Sequence, residues 1–281
     1  MATWSTLAAP MEPKAGRNKR AKTPEPSRPV VAPSVVAPSV VGKAVVAELE
    51  DASRSFGGRE VLRGVSLSVR SGEVLGVVGP NGGGKSTLLL LLAGLLQPTS
   101  GRVTIEGRAA HELALKAAGL VGLVTARPGL YPLLTGRENL HHFGGLFGLS
   151  PAAVDAKATP LVETLGLATL DVPVATWSTG MQQKLSLVRA LLLSPKLLLL
   201  DEPTANLDPP VAQALYAEVR RRADAGLSCV LVTHDLGAAE AYADRVLLVD
   251  GEVKRELTFE RRARPTAGPI LLAWQEAIGA E

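Results

Sequence analysis

Gly79-Pro80-Asn81-Gly82-Gly83-Gly84-Lys85-Ser86-Thr87 lies between the apolar run Val74–Val78 and the leucine-rich stretch Leu88–Leu96. A short unbroken apolar run is the pattern of a strand buried on both faces. The leucine stretch falls well short of the roughly 18 apolar residues that a membrane crossing needs, so it reads as a core helix opening at Thr87. Between strand and helix, the glycines let the backbone curl until successive amide N–H groups point inward at an anion. The helix N-terminus adds partial positive charge at the same place. Lys85 is placed to reach the β- and γ-phosphates of a nucleotide, Ser86 to offer its hydroxyl to Mg2+, and Thr87 to donate to the α-phosphate.

Around this loop the chain reads as an α/β fold. Val45-Val46-Ala47-Glu48-Leu49-Glu50 and Val61–Val69 alternate apolar with polar residues, as half-buried strands do, and Ser71-Gly72 marks a turn after the second. Downstream, Leu197–Leu200, Val230–Val232 and Val246–Val249 repeat the short apolar run, separated by helix-like stretches. Buried strands alternating with helices predict a mostly parallel sheet with crossovers. Residues 128 to about 176 carry helical texture broken by Pro and Gly, which predicts a helical subdomain inserted into the core.

Leu197-Leu198-Leu199-Leu200-Asp201-Glu202-Pro203 is a buried strand that ends in two acids. Ligands of open α/β folds bind at that carboxyl edge of the sheet. Asp201 is read as a ligand of Mg2+ or of its water, and Glu202 as the general base that orients the attacking water. His234 follows the strand at Val230–Val232 and reaches the same edge, where it can hydrogen-bond the γ-phosphate and the water. Lys85, Glu202 and His234 are thus the candidate catalytic residues.

The 281 residues carry 46% hydrophobic and 20% charged side chains with a formal charge of +3, and the basic excess gathers in the N-terminal tail rather than in a nucleic-acid footprint. No nucleic-acid partner is expected. The lone cysteine, Cys229, excludes an internal disulfide and sits in an apolar run, which predicts a buried core thiol. No compact apolar segment with a small-residue cleavage site opens the chain, which argues against a secretory signal. Residues 1–44 are proline-rich, hold the basic cluster Lys14 to Lys22 and repeat Val-Val-Ala-Pro-Ser, so an extended tail is predicted, either solvated or touching anionic lipid.

Taken together, these strings resemble the ATP-binding subunits of ABC transporters, over residues 45–255, with 256–281 left as a C-terminal extension. Ser178-Thr179-Gly180-Met181-Gln182 is similar to the family's signature segment, with Trp177 in place of its leucine. Ala205-Asn206-Leu207-Asp208 resembles the segment that follows the acidic pair, and Phe56 before Gly57-Gly58 matches the aromatic that stacks on adenine. The resemblance implies a P-loop NTPase core with an antiparallel β subdomain and the helical insertion. It implies ATP and Mg2+ as ligands, with Phe56, Gly79, Pro80, Asn81, Gly82, Gly83, Gly84, Lys85, Ser86 and Thr87 around the nucleotide. Ser178, Gly180 and Asp208 are then expected to serve the nucleotide of a head-to-tail partner, either a second copy or a paired ATPase subunit. One departure stands out: Ala126 falls where the family carries Gln or Glu, and no such residue follows until Glu138.

Gly129-Leu130-Tyr131-Pro132-Leu133-Leu134-Thr135-Gly136-Arg137-Glu138-Asn139-Leu140 is similar to the opening of the helical subdomain in bacterial export ATPases. The resemblance therefore implies a peripheral engine on the cytoplasmic face of the inner membrane, driving a separately encoded integral membrane subunit. Two alternatives are a nucleotide switch with weak hydrolysis, suggested by Ala126, and a soluble ABC ATPase acting on ribosomes or DNA. Against the latter, the chain holds a single cassette, no heptad array and no cysteine set.

Overall fold

The computed structural model describes residues 43–259 except 117, 118 and 206, together with 270, 272, 273 and 276. Apart from Lys43 and Ala44, the expected tail lies outside the described residues. So does most of the C-terminal extension: its first described residues, 256–258, complete a strand, and 270, 272, 273 and 276 are helical.

Two sheets enclose the first helix. One is antiparallel, in the order β2 (Arg59–Arg70), β1 (Val45–Phe56), β4 (Ser100–Ile105), β5 (Arg108–Ala109). The other runs β10 (Glu252–Thr258), β9 (Arg245–Asp250), β3 (Val74–Val78), β8 (Ser228–Val232), β7 (Leu197–Asp201), β6 (Val121–Val124). Its strands from β9 to β6 are parallel, and β10 closes the edge antiparallel. That first helix is α1 (Lys85–Leu92), and the α-helices that follow among the described residues include α2 (Ala110–Lys116), α3 (Gly136–Leu146), α4 (Pro151–Thr164), α5 (Thr179–Leu191), α6 (Pro209–Asp224) and α7 (Leu236–Tyr242).

Burial explains the apolar runs. Leu197 and Leu199 of β7 face a core shared with α1 and the antiparallel sheet, with Val230 and Val232 of β8 beside them. Leu198 and Leu200 face the opposite core, with Cys229, Leu231 and the helices beyond. Each strand must therefore be apolar at every position. Each fully buried Leu is worth about 1.5–3 kcal/mol against exposure, so these two layers supply most of the drive to fold. Burial also pushes the Cys229 thiol far above its ordinary range, which leaves it a core side chain.

Two expectations are corrected. The helix after the glycine loop opens at Lys85, not Thr87, because Gly84 adopts φ 91 as its N-cap and brings Lys85 and Ser86 into the first turn. The helix ends at Leu92 rather than running through the whole leucine stretch: Ala93 still belongs to the core, Leu95 is exposed, and Leu96 packs against the core from outside the helix. Beyond that, the helical layer follows its local signals. Thr135 and Glu138 form a reciprocal capping box at the start of α3, and Ser150 followed by Pro151 opens α4.

Candidate functional site

The parallel sheet brings three loops to one edge. In strand order β3, β8 and β7 are neighbours, so the glycine loop, Thr233-His234 and Asp201-Glu202 leave the sheet side by side. Gly79 is required by contact: a Cβ there would lie 2.0 Å from the Val249 carbonyl oxygen. An open cleft of about 610 Å3 results, lined by Phe56, Arg59, Val61, Asn81, Gly82, Gly84, Lys85, Ser86, Thr87, Ala126, Asp201, Glu202 and His234.

Lys85 is buried, and its ammonium donates to the carbonyls of Gly79 and Pro80, 2.9 Å each. Burial pulls its pKa down, against the attraction of Glu202, Asp201 and Asp250. Glu202 sits at φ 50, a left-handed conformation rare for a side chain of its kind. Its amide donates to the Val232 carbonyl at 3.0 Å, and the His234 amide donates to its Oε2 at 3.3 Å. His234 Nε2 stands 3.1 Å from Glu202 Oε1 without hydrogen-bond alignment, so the pair is electrostatic rather than directional. Burial raises the Glu202 pKa, His234 and Lys85 pull it back, and Asp201 adds to the rise. A carboxyl raised in this way holds a proton more tightly than an ordinary one, as a general base needs.

Some participants carried no signal in the sequence. Tyr216 on α6 ties two site loops together, its hydroxyl 2.7 Å from Thr204 Oγ1 and 3.5 Å from Thr233 Oγ1. At the cleft mouth Phe56 is 42% exposed, and the Arg54 guanidinium lies 4.4 Å over its ring centroid. Ser86 and Asp201 are an all-oxygen donor set uncommitted to hydrogen bonds among the described residues. That suits a hard divalent cation completed by water and phosphate oxygens.

Ser178, Gly180 and Asp208 do not join this cleft. Ser178 caps α5 through the Met181 amide at 3.3 Å, and Asp208 occupies the N-cap position of α6 without capping it through its side chain. Gly180 adjoins Val211 and Leu207, so the starts of α5 and α6 meet. Ala126 does line the cleft, with a methyl group only.

The family model described as ABC transporter matches residues 62–205. A Bacillus subtilis protein named YdbJ, an uncharacterized ABC transporter ATP-binding protein, is 36% identical over 79% of this chain and 72% of its own length. Nod factor export ATP-binding protein I of Sinorhizobium fredii is 37% identical over 72% of this chain and 60% of its own length. A solved dimeric ATP-binding cassette in a post-hydrolysis state, bound to ADP and Pi, aligns with a TM-score of 0.69 and 27% identity, covering 77% of this chain and 99% of that one. With about half its length matched to one family, and a relative aligned over most of both chains, the chain belongs to the ABC transporter family as an ATP-binding, ATP-hydrolysing subunit.

Proposed function

We propose that two ATPase subunits of this kind close head-to-tail around two ATP molecules and drive export through a separate membrane subunit, from the cytoplasmic face of the inner membrane. One observation carries the reading. The cleft gathers the glycine loop, two acids and a histidine, whereas Ser178 and Asp208 are exposed outside it. Polar groups at two helix starts, facing away from their own cleft, are free to complete a site on a two-fold partner.

Within one cleft, Phe56 stacks the base while the loop amides and the N-terminus of α1 receive the phosphates. The Lys85 ammonium exchanges the Gly79 and Pro80 carbonyls for β- and γ-phosphate oxygens. Ser86 and Asp201 would hold Mg2+, whose charge would offset that of the phosphate oxygens. Glu202 orients the attacking water and takes its proton as the bond from γ-phosphorus to ADP breaks. His234 steadies the Glu202 carboxylate and the γ-phosphate.

An apolar groove supports a membrane partner. It measures about 180 Å3 and is lined by Leu95, Leu113, Leu123 and Phe147 among others. Leu133, 88% exposed, and Tyr131 add to the apolar surface. No helix among the described residues is long and apolar enough to cross a membrane, so the groove suits a short apolar helix from another chain. The export reading draws on the 37% identity to a Nod factor export subunit.

Purified protein is expected to hydrolyse Mg-ATP with a specific activity that rises with protein concentration. Lys85→Ala should lower kcat/KM by at least about 100-fold, the loss typical of removing one preorganised donor. Activity independent of concentration, or retained in Lys85→Ala, would count against the paired site. A second reading, a nucleotide switch with weak turnover, is favoured by Ala126 alone. Ala126→Gln should then raise kcat severalfold in a steady-state assay, and an unchanged rate would show that this position does not limit turnover.

A further inference from the structure

We infer that Gln183, Ser186 and Arg189 are positioning residues that lock the cleft wall carrying Ala126 onto α5, so that nucleotide in the cleft sets where Ser178 and Gly180 stand. The spacing of three places all of them on one face of the helix. Gln183 Nε2 donates to the Thr125 carbonyl at 3.0 Å, Ser186 Oγ to that of Pro128 at 3.0 Å, and Arg189 Nη1 to that of Gly129 at 2.6 Å. Three consecutive donors of α5 thus hold three carbonyls of the five-residue segment 125–129, on either side of Ala126.

Two further observations mark this contact as more than loop packing. Gln183 is buried, and its Oε1 has no partner among the described residues, so the amide forgoes one hydrogen bond while keeping the one to Thr125. The Arg189 guanidinium is largely desolvated and paired with no carboxylate among the described residues; it is held by the Gly129 carbonyl, Ser186 Oγ at 3.2 Å and the Phe143 ring at 4.8 Å. A cation so placed follows the loop when the loop moves, since losing the carbonyl would leave it only Ser186 Oγ and the Phe143 ring. Meanwhile the wall offers no side-chain reporter of its own. Ala126 contributes a methyl, and Thr125 turns its hydroxyl to the Arg127 carbonyl at 2.6 Å. Backbone held by α5 is what connects the cleft to the helix that begins beside Ser178. α5 then carries the message to the partner's nucleotide.

The inference rests on the paired-subunit reading, and the experiment separates the two. In a Glu202→Gln background, ATP-driven dimerisation is followed by analytical ultracentrifugation, ATP affinity by titration at concentrations where the chain is monomeric, and folding by thermal melting. Arg189→Met keeps an unbranched apolar stem and removes the guanidinium, with its donors and its contact to the Phe143 ring. Gln183→Leu is nearly isosteric and also removes the orphan Oε1, so it serves if Arg189→Met does not fold. Expected for either variant is a dimer dissociation constant raised about tenfold, the upper end of the worth of one intramolecular hydrogen bond, with monomer ATP affinity unchanged within about twofold. Arg189→Lys should recover part of the loss. Unchanged dimerisation in a folded variant, or an ATP affinity that falls in parallel, overturns the inference while leaving the paired-subunit reading intact. A parent that stays monomeric with saturating ATP overturns both.

Discussion

Glu202→Gln is expected to cut kcat by about 10²–10⁴-fold, the range spanned by a positioned general base, while ATP still binds. The amide keeps the size of the side chain and its place beside the His234 amide, but it cannot take a proton from water. Nucleotide binding drawn from the glycine loop and Lys85 is untouched, so the expected product is an ATP-bound dimer that does not turn over. Rapid-quench measurement of bound ATP, beside the sedimentation behaviour, checks both halves. Full turnover in the variant would remove Glu202 from the mechanism. The pH dependence runs in the same direction. Burial raises the Glu202 pKa, and a base works only when deprotonated, so kcat/KM should fall as pH drops through that raised value. For stability the sign reverses. A carboxyl whose folded pKa lies above its unfolded one contributes stability below the unfolded pKa and loses it as pH rises through the folded value. At neutral pH, Glu202→Gln should therefore melt no lower than wild type, which separates lost chemistry from lost fold.

At the opposite end of the sheet, Glu73→Ala should destabilise the protein by about 3–5 kcal/mol, the cost of breaking a buried ion pair from one side. Glu73 and Arg245 have side chains 5% and 8% exposed, with Oε1 and Nε 2.6 Å apart. Glu73 Oε2 also accepts the Arg70 amide at 2.8 Å. Arg245 reaches the Ser68 carbonyl at 2.6 Å and Glu256 at 2.9 Å, tying β9 to β2 and β10. Removing Glu73 leaves a guanidinium buried with less than its full complement of charge. Urea titration should show the loss, and Glu73→Leu combined with Arg245→Met should recover most of it, because a buried pair is worth little over an apolar one. A single variant as stable as wild type would mean that water reaches the site.

What could be read beforehand depended on whether the cause was local. Strands β3, β7, β8 and β9 were legible because both faces are buried and every residue had to be apolar. By contrast, β6 holds Gly122, where a Cβ would meet the Ala190 carbonyl oxygen at 2.6 Å, and this close approach interrupts the apolar pattern. The exposed Ser100, Gly101 and Arg102 hid β4, and the charges of an edge strand hid β10. In the cleft, the glycine loop and the acids were visible as contiguous strings, and His234 could be set at the same sheet edge because it follows the apolar run Val230–Val232; the strand order then made β8 the neighbour of both. The grip of α5 was not visible, because Gln183 and Thr125 lie 58 residues apart and meet only after folding. Nor does any sequence pattern announce that Arg54 covers one face of Phe56.

The Lys85 ammonium, held by the carbonyls of Gly79 and Pro80, also fixes the shape of the loop that carries it. A chain so rich in glycine would ordinarily have many conformations to choose from. Here a cation from the first turn of α1 stitches the end of the curl back to its beginning, so the loop closes on itself. The glycines supply the room for that closure, and the lysine selects one shape out of many. Loop and charge are therefore a single part: exchanging the lysine removes a phosphate contact and, with it, the pin that gives the cradle its outline.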